Sequence, residues 1–298
     1  MTDIELSIII ISYNTAKITQ NCIQSIFASL KNTQLSYEIV VIDNASSDAS
    51  VEMLKSLEKN HRQIKLTINT QNTGFGKANN QGALLAKGTH ILLLNSDTLI
   101  IHSAIEDLLI YYKNNAKNIH FLGGKLLNTD KTPQPSCGPF YTLPIIFGAL
   151  FLRGDYWGLT RYSPNTPRKV DWVSGACILT TKDHFTNVGG FDEKIFMYME
   201  EIDLLFRANK QNLHTWIYPQ AQFIHLGSAS SNGRKEPIIQ VYKGFIFFYK
   251  KHYGPIPFFF LRIMLQLKAV GAWILGKLLH NTYLIQTYGE ALKIATMA

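Results

Sequence analysis

Short apolar runs of strand length alternate with segments of helical periodicity along the N-terminal third of the chain. The runs cover residues 7–13, 37–42, 64–68 and 90–94. Between them, apolar side chains recur every three or four positions, which is typical of helices that bury one face. Strands that alternate with helices at this spacing predict right-handed βαβ units and a parallel sheet.

The pattern weakens after Leu127 and returns near residue 173. Six prolines fall between residues 128 and 170, so this stretch is predicted to be a long connection that shapes a binding cleft. Beyond it the sequence predicts a strand over 173–180, a short helix over 182–187, an amphipathic helix over 201–212 and a strand over 214–217. The predicted fold class is therefore α/β.

Composition narrows the class of protein without choosing its chemistry. With 298 residues, 46% of them hydrophobic, the chain can bury the core of one large domain or of two small ones. Three widely spaced cysteines argue against a disulfide framework and a zinc site, and favour a reducing cytoplasm. The first residues lack a basic segment, so no signal peptide is expected.

Net charge is +8, which suits nucleic acid, an anionic membrane or a polyanionic substrate. Residues 235–293 carry eight lysines and arginines against two glutamates, mixed with bulky apolar side chains. This mixture indicates a membrane-surface segment, and since the chain shows no nucleic-acid reading module, no nucleic-acid partner is expected.

The stretch from residue 256 to 280 is strongly apolar, with dispersed charge. A full membrane span would place Arg262 and Lys268 in hydrocarbon, at about 2.5–3.5 kcal/mol each near the centre. An amphipathic helix lying in the plane of an anionic membrane avoids that cost. The alternative is a helical subdomain packed on the core of the protein.

Polar side chains stand where three of the predicted strands end. Ser12-Tyr13-Asn14 follows the first strand, Asp43-Asn44 the second and Asn95-Ser96-Asp97 the fourth. Ligands of open parallel sheets bind at the carboxyl ends of the strands, so these side chains are candidates for one site. For residues 43–48 the alternative is an Asx turn that leads into a helix cap.

A glycine loop opens the predicted third helix. It runs from Asn72 through Gly74 and Lys77 to Asn80, and helix N-terminal amides beside a lysine suit a diphosphate. A nicotinamide-dependent dehydrogenase fits badly, because Asn79 stands where its third glycine would be and the loop follows the third strand. The remaining alternative is a glycine needed only for a tight turn.

The last element of the pattern is Gly189-Gly190-Phe191-Asp192, followed by the acidic cluster Glu200, Glu201 and Asp203. Taken in order, the strand ends, the glycine loop and this cluster resemble glycosyltransferase family 2, inverting enzymes of GT-A fold, and its rhamnosyltransferase-like branch. The resemblance covers about residues 5–230. It implies a Rossmann-like, mainly parallel sheet flanked by helices over residues 1–235, followed by a helical, membrane-apposed region over residues 236–298.

The same resemblance implies roles for the donor-side residues. Asp43 would contact the base or ribose of a nucleotide sugar, and Ser12, Tyr13 and Asn14 would line the same pocket. The remaining nucleotide-sugar candidates are Asn44, Asn72, Gly74, Lys77, Asn80, Asn95 and Ser96.

For the metal, the resemblance implies Asp97 and His225 as ligands of a divalent cation, Mn²⁺ or Mg²⁺, with Asn95 in place of a first carboxylate. A histidine on an apolar strand is otherwise a satisfied core residue.

The resemblance also places the reacting groups. Glu201 stands at the position of the catalytic base, with Glu200 and Asp203 as substitutes; alternatively these carboxylates only favour the amino end of a helix. Residues Trp172, Ser174 and Gly175 would border the donor sugar and the acceptor, or Trp172 is a buried strand residue.

The function implied is inverting transfer of a sugar, possibly rhamnose, from a UDP- or dTDP-linked donor to a glycan or lipid-linked acceptor in cell-envelope polysaccharide synthesis. The expected location is the cytoplasm, peripheral on the inner face of the cell membrane. Two alternatives stay open: a nucleotidyltransferase, and a catalytically silent module that binds nucleotide sugar or acts as a scaffold. Asn95 and Glu201 depart from the family pattern and keep the second alternative in place.

Overall fold

The computed structural model describes residues 4–227 and 235–298. Its strands are β1 (Leu6–Ser12), β2 (Tyr37–Asp43), β3 (Ile64–Ile68), β4 (His90–Asn95), β5 (Thr98–Ile100), β6 (Phe121–Leu127), β7 (Cys137–Gly138), β8 (Arg168–Val170), β9 (Trp172–Val173), β10 (Cys177–Thr181) and β11 (Thr215–His225). Its helices are α1 (Ala16–Ser29), α2 (Ser50–Asn60), α3 (Phe75–Leu85), α4 (Ala104–Asn114), α5 (Leu143–Phe151), α6 (Lys182–Asn187), α7 (Glu200–Lys210), α8 (Lys235–His252), α9 (Pro255–Leu278) and α10 (Thr282–Met297).

The main sheet has the strand order β3-β2-β1-β4-β10-β6-β11-β5, and β8 pairs with β11. Strands β3, β2, β1 and β4 run parallel, as the alternating pattern predicted. Ser12 is in register with Asp43, and Ile11 with Asn95. The strand ends therefore align, and their polar residues meet at one edge of the sheet.

The first strands are buried on both faces, which explains their unbroken apolar runs. Ile8 and Ile10 of β1 pack in the core that α1 and α4 cover, whereas Ile9 packs in the core on the other face, which α3, α7 and α8 cover. The sheet is thus the middle layer of three, and only the ends of its strands are open to a ligand.

Two predicted strands differ from the structure. The run 173–180 is interrupted: β9 pairs with β7 in a small separate sheet, and β10 begins only at Cys177 after a turn at Ser174-Gly175-Ala176. The strand predicted over 214–217 is β11, which continues to His225 despite Pro219, because the pairing with β6 shifts register between Tyr218 and Gln222. That shift delivers His225 to the open edge of the sheet.

Helix α8 packs on the sheet domain. Its Tyr242, Phe248 and Tyr249 are buried, and the Tyr249 hydroxyl donates to the carbonyl of Tyr141 (2.9 Å). Helices α9 and α10 pack against each other and against α8. The C-terminal helices therefore form part of the same packed body as the sheet, with one face of α9 left outside.

Candidate functional site

A cleft of about 1110 Å³ opens at the carboxyl ends of the parallel strands. Its walls come from the ends of β1, β4 and β11, the segments 134–141 and 172–176, the first turn of α7, and helices α8 and α10. Of the residues singled out in the sequence, those lining it are Tyr13, Asn44, Asn72, Asn95, Ser96, Asp97, Trp172, Ser174, Gly175, Glu200, Glu201 and His225. The order of motifs in the chain therefore becomes one site.

Asn44 organises the nucleotide-side wall. Its Oδ1 accepts hydrogen bonds from Asn69 and from both the amide and the hydroxyl of Thr73, while its Nδ2 donates to Asn72 (2.9 Å). The side chain is 2% exposed, so these bonds replace water for both of its polar ends. Asn44 thus fixes the loop between β3 and α3 against the end of β2.

The glycine loop adopts a shape that only glycine tolerates, but it faces protein. Gly74 has φ +84°, and a Cβ there would lie 2.7 Å from the carbonyl oxygen of Phe196. That oxygen accepts the first amide of α3, from Phe75 (3.0 Å). Gly74 itself is not among the residues that line the cleft. The helix terminus predicted to hold a diphosphate is therefore closed by the 196 segment, and the tight-turn alternative describes it better.

Lys77 and Asn80 point to the neighbouring segment at residues 190–193. Lys77 pairs with Glu193 (3.2 Å), and Asn80 both accepts from the Phe191 amide (2.8 Å) and donates to its carbonyl (2.9 Å). Neither residue lines the cleft. Their predicted role in nucleotide-sugar binding is corrected to one of holding the Gly189-Gly190-Phe191 turn.

Three further donor-side residues lie behind the cleft wall. Asp43 is buried and accepts from the amide and the hydroxyl of Ser46 (2.9 and 2.7 Å). Asn14, with φ +52°, accepts from the Ser47 amide (2.7 Å), and Ser12 contacts the Thr19 hydroxyl (3.3 Å). Both Asp43 and Asn14 thus stabilise the loop that follows β2, as the Asx-turn alternative proposed.

Asp97 and His225 come together although they are far apart in the chain. The Nε2 atom of His225 lies 3.2 Å from Oδ1 of Asp97 and 3.3 Å from Nδ2 of Asn95. The Leu226 amide donates to the Asp97 carbonyl (3.0 Å) and so fixes the end of β11 beside the end of β4. The Oδ1 atom of Asn95 is buried and has no hydrogen-bond partner among the described residues.

This arrangement fits a divalent cation that shares its ligands with a substrate. An imidazole nitrogen, a carboxylate and an unsatisfied amide oxygen are suitable donors for Mn²⁺, and the last two also suit Mg²⁺. Among the described residues, no group of three or more His, Cys, Asp or Glu side chains is placed to hold a metal. Oxygen atoms of a bound phosphate would therefore have to complete the coordination.

Glu200 and Glu201 begin α7 and face the cleft. Glu200 is 6% exposed, and Oε2 of each side chain is buried without a hydrogen-bond partner in the part of the chain described. Burial, reinforced by the charge of Glu201, raises the pKa of Glu200 well above its usual value. Burial also raises the pKa of Glu201, while backbone hydrogen bonds and the Arg161 charge oppose that rise.

The backbone before this pair is in a left-handed conformation. Tyr198 and Met199 have φ values of +64° and +73°, which are uncommon for residues other than glycine. Met199 packs tightly on α8, where a Cβ added to Gly244 would lie 2.6 Å from the Met199 Cγ. The packing of α8 therefore holds the turn that presents the two glutamates.

Asp203, predicted as a substitute base, is part of an ion-pair cluster on the other side of α7. It is fully buried and accepts from Arg207 (2.8 Å), Lys251 (2.7 Å) and His252 (2.7 Å). Burial alone would raise the pKa of Asp203, but these hydrogen bonds and charges outweigh it and lower the pKa to about 2. Because it is outside the cleft and saturated with donors, Asp203 is a structural residue and not a base.

Trp172, Ser174 and Gly175 are the residues predicted to border the donor sugar and the acceptor, and the structure favours a structural role for Trp172. The ring is 4% exposed, its Nε1 donates to the Pro139 carbonyl (2.8 Å), and it stacks on Tyr141. Gly175 lies between the Phe75 ring and Glu201, and a Cβ there would lie 3.8 Å from the Glu201 Cβ. Ser174 holds the same turn through the amide of Ala176 (3.3 Å).

Sequence reasoning missed several residues that line the cleft. They are Gln134, Tyr141 and Arg161 in the long connection, and Glu236, Gln240 and Glu290 on α8 and α10. Arg161 is the one lysine or arginine lining the cleft in the described ranges, against five carboxylates. No local motif marks these positions, because each reaches the site only through long-range packing. Asp97 and Glu201 add negative charge to this cleft, and a cation bound beside them would favour an anionic ligand.

Comparison with known proteins identifies the family of the chain. A protein-family model described as glycosyl transferase family 2 matches residues 7–164. N-acetylglucosaminyl-diphospho-decaprenol L-rhamnosyltransferase of Mycobacterium tuberculosis is 26% identical over 253 residues, which cover 78% of this chain and 79% of that protein. Rhamnosyltransferase WbbL of Escherichia coli is also 26% identical, over 69% of this chain and 79% of that protein.

Two solved structures share the fold. TarS residues 1–349 of S. aureus superimpose with a TM-score of 0.55 at 16% identity, covering 88% of this chain and 69% of that one. The mannosyltransferase PcManGT of Pyrobaculum calidifontis, solved with GDP-Man and Mn²⁺, gives a TM-score of 0.56 at 14% identity and covers 98% of this chain and 73% of that one. The predicted α/β fold of the GT-A type is confirmed.

Proposed function

Because the chain belongs to glycosyl transferase family 2, we propose that it moves a sugar, with inversion, from a nucleoside-diphosphate sugar to a hydroxyl group of a glycan or lipid-linked acceptor. Family membership confirms the predicted glycosyl transfer from a nucleotide sugar. Two relatives that match over most of their length are named as rhamnosyltransferases, and one of them by a lipid-diphosphate acceptor. These names support rhamnose as the transferred sugar and an acceptor in cell-envelope polysaccharide synthesis, and we propose a UDP- or dTDP-linked donor.

The observation that carries the proposal is the pair Glu200 and Glu201, whose Oε2 atoms have no hydrogen-bond partner among the described residues, in the cleft that also contains Asp97 and His225. Inverting transfer needs a carboxylate that takes the proton of the attacking hydroxyl while the diphosphate leaves on the opposite face of the sugar. A carboxylate already engaged in ion pairs cannot do this well. Glu201 has an unsatisfied oxygen in the cleft, so it can accept such a proton.

Glu200 and Glu201 share one proton between their two carboxyl groups. Two carboxylates that share a site do not both ionise readily, and the more buried one keeps its proton. Glu200 is 6% exposed, and burial together with the Glu201 charge raises its pKa, whereas the Arg161 charge favours the charged form of Glu201. Glu201 is therefore the base, and Glu200 stays neutral beside it, so that the acid pair carries a single negative charge.

Asp97 and His225, with the unsatisfied Oδ1 of Asn95, are the residues that would hold a divalent cation. When bound, such a cation neutralises charge on the departing diphosphate. The acidic groups of Asp97 and Glu201 in the same cleft support this role, because a cation reduces their repulsion of an anionic donor. Mn²⁺ and Mg²⁺ both satisfy the argument.

We assign the residues that line the cleft to two ligands, the nucleotide and the acceptor. Tyr13, Asn44 and Asn72 lie at the ends of β1 to β3 and form the nucleotide side. Glu236 and Gln240 of α8 also line the cleft, and we propose that they bind an acceptor sugar through its hydroxyl groups. Tyr198 lines the cleft as well, and burial together with the Glu200 and Glu201 charges raises its pKa.

A product assay tests the function. The full-length protein, incubated with UDP- and dTDP-sugars, Mn²⁺ and a lipid-linked acceptor, is expected to release free nucleoside diphosphate and to give a product of inverted anomeric configuration by NMR. Release of pyrophosphate would instead indicate a nucleotidyltransferase. Binding of nucleotide sugar without any transfer or hydrolysis would indicate the silent module.

We also propose that α9 rests on the inner face of the cell membrane. It is long and apolar enough to cross a membrane, with mean hydropathy 1.6, and it is largely unburied. Leu261, Leu265 and Ala269 pack inward, while the outer face exposes apolar side chains, namely Ile256, Phe259, Phe260, Leu267, Ile274 and Leu278. Such a large exposed apolar face is typical of a membrane or protein contact.

Two polar side chains of α9 face protein. Arg262 and Gln266 donate to the carbonyl of Ala295, and Arg262 also donates to that of Thr296 (2.9 Å), at the C-terminal end of α10. A cation there is favoured by the helix dipole. Removal of these groups from the outer face leaves it more apolar than the sequence alone suggested, with Lys268 and Lys277 as the charges that can meet anionic lipid.

Vesicle binding by the full chain tests this location. Phe260→Ser combined with Leu267→Ser should weaken binding to phosphatidylglycerol vesicles about tenfold, because each buried apolar side chain contributes roughly 1.5–3 kcal/mol and the vesicle surface buries only part of it. Leu84→Ser is the matched control, since Leu84 is 79% exposed on α3. Equal binding by the double variant and the control would contradict the proposal.

A further inference from the structure

Gln134 holds the imidazole of His225 from behind. Its Oε1 lies 2.8 Å from the Nδ1 of His225, and its Nε2 donates to the backbone carbonyl of the same histidine (3.2 Å). The backbone N–H of Gln134 donates to the Leu126 carbonyl (2.9 Å), so the backbone at this position is fixed to the end of β6. The glutamine is thus tied both to the sheet and to the ring it contacts.

The orientation of the Gln134 amide follows from groups that can only accept or only donate. Its Nε2 faces the His225 carbonyl and Oδ1 of Asn128 (3.1 Å). The Nδ2 of Asn128 donates to the Thr132 hydroxyl (3.0 Å), which in turn donates to a carboxylate oxygen of Asp130 (2.6 Å). Hydrogen bonds from Thr132 lower the pKa of Asp130, so this carboxylate is ionised and only accepts.

The hydrogen bonds that connect Asp130 to His225 allow only one placement of the protons. The Thr132 hydroxyl, the Asn128 amide and the Gln134 amide each donate outward, so Oε1 of Gln134 is an acceptor that faces the imidazole. An acceptor at this place requires the proton of His225 on Nδ1. In the neutral ring, Nε2 is then the unprotonated nitrogen, and it faces Oδ1 of Asp97 at 3.2 Å and Nδ2 of Asn95 at 3.3 Å.

We propose that Gln134 is a positioning residue for the metal centre: it fixes the tautomer and the orientation of His225, so that Nε2 can bind a divalent cation beside Asp97. The inference rests on the metal site of the proposed function. A hydrogen bond to the far nitrogen of a metal-binding imidazole fixes the ring, and its loss lowers metal affinity by about 10- to 100-fold. Glutamine supplies that bond without adding another charge to a cleft already rich in carboxylates.

The tautomer is measured first, on metal-free protein labelled with ¹⁵N-histidine. The His225 ring is identified by the signals that disappear in His225→Ala. The wild type should show Nδ1 protonated and Nε2 unprotonated, and Gln134→Leu should show a mixture of tautomers, because leucine has no acceptor. An unchanged ring in Gln134→Leu, or a wild-type ring protonated on Nε2, would overturn the inference.

Metal binding is measured second, by electron paramagnetic resonance of Mn²⁺ with UDP and with dTDP. We expect Gln134→Leu to weaken Mn²⁺ binding about 10- to 100-fold. Gln134→Glu should remain within about threefold of wild type, because it keeps the acceptor for Nδ1 and the Asn128 amide can turn to meet it. Gln211→Leu, on the exposed end of α7, is the control for a generally perturbed surface.

The two ways of failing can be told apart. A wild-type protein that binds no Mn²⁺ with either nucleotide overturns the metal centre of the proposed function. Wild-type affinity in Gln134→Leu overturns only the role of Gln134. If Gln134→Leu and Gln134→Glu lose affinity equally, the effect is one of general destabilisation and the inference is also overturned.

Discussion

The first turn of α7 presents carboxylates on two sides, and the two sides behave in opposite ways. Glu200 and Glu201 face the cleft with unsatisfied oxygens and raised pKa values. Asp203, on the other side, accepts hydrogen bonds from Arg207, Lys251 and His252 and has a pKa of about 2. One acidic motif therefore supplies both a pair of glutamates that can react and an aspartate that stabilises the structure. The hydrogen-bonding and charged groups around each carboxylate determine its role.

The two sides also respond to pH with opposite signs. The pKa of Asp203 is lowered by folding, so its contribution of about 2 kcal/mol is present above its ordinary pKa near 3.8 and is lost as pH falls toward 2. The pKa of Glu200 is raised by folding, so its contribution is present below its ordinary pKa of 4.5 and is lost as pH rises through the folded value. At the higher pH values, where Asp203 stabilises the fold most, ionisation of Glu200 therefore lowers the free energy of unfolding.

Glu201→Gln tests the reactive side, with the largest expected effect. The change keeps the shape of the side chain but removes its basicity, so turnover should fall by about two to four orders of magnitude. Nucleotide affinity should barely change, because the base acts on the acceptor in the transition state. Steady-state kinetics and calorimetry with nucleoside diphosphate measure the two quantities.

The exposed Glu193 provides the control for Glu201: Glu193→Gln should leave turnover near normal. If Glu201→Gln keeps near-normal turnover and Glu200→Gln is inactive, the base is assigned to the wrong carboxylate of the pair.

Asp203→Asn tests the aspartate that stabilises the structure. Removing the charge leaves Arg207, Lys251 and His252 facing a neutral amide, so the free energy of unfolding should fall by about 3–5 kcal/mol. Asp192→Asn is the matched control, because Asp192 binds the same Lys251 near the surface and should cost less than about 1 kcal/mol. Urea unfolding measures both. Loss of turnover without loss of stability would return Asp203 to the list of candidate bases.

Glu200→Gln sharpens the comparison through its pH dependence, with the smallest effect. Glutamine is neutral at every pH, so the variant should match wild type near pH 4 and become more stable than wild type as pH rises. The gain is about 1.4 kcal/mol for each unit by which the wild-type pKa is raised. Urea unfolding at about pH 5 and about pH 9 detects it, and a difference that does not grow with pH would contradict a proton held by Glu200.

Local patterns were sufficient for the parallel half of the sheet. The predicted strand over 64–68 has the same bounds as β3, and those over 37–42 and 90–94 each end one residue before β2 and β4. Strands β2 and β4 are buried on both faces, so their apolar runs identify them, whereas β3 is an edge strand with Lys65 and Ile68 exposed. The positions of Asp97, Glu200 and Glu201 in one cleft also followed from the order of motifs along the chain.

The rest depends on contacts between distant residues. Gln134 meets His225 across 91 positions, and Lys251 meets Asp203 across 48, so neither partner leaves a local signal. The glycine loop carries the residues expected for a diphosphate, yet the carbonyl of Phe196 occupies the amide at its helix terminus. Sequence spacing indicates which groups are available, and tertiary packing decides which of them are already satisfied.

The stabilising role of Asp203 has a consequence for the order of events during protein synthesis. The four parallel strands β1 to β4 can pair early as the chain leaves the ribosome, because all of them lie within the first 95 residues. The turn that carries Glu200 and Glu201 is fixed later in synthesis. Asp203 has three hydrogen-bonding partners, and two of them, Lys251 and His252, are made after α7. A nascent chain is therefore expected to assemble its nucleotide side early and to acquire a fixed base only once α8 has emerged and docked.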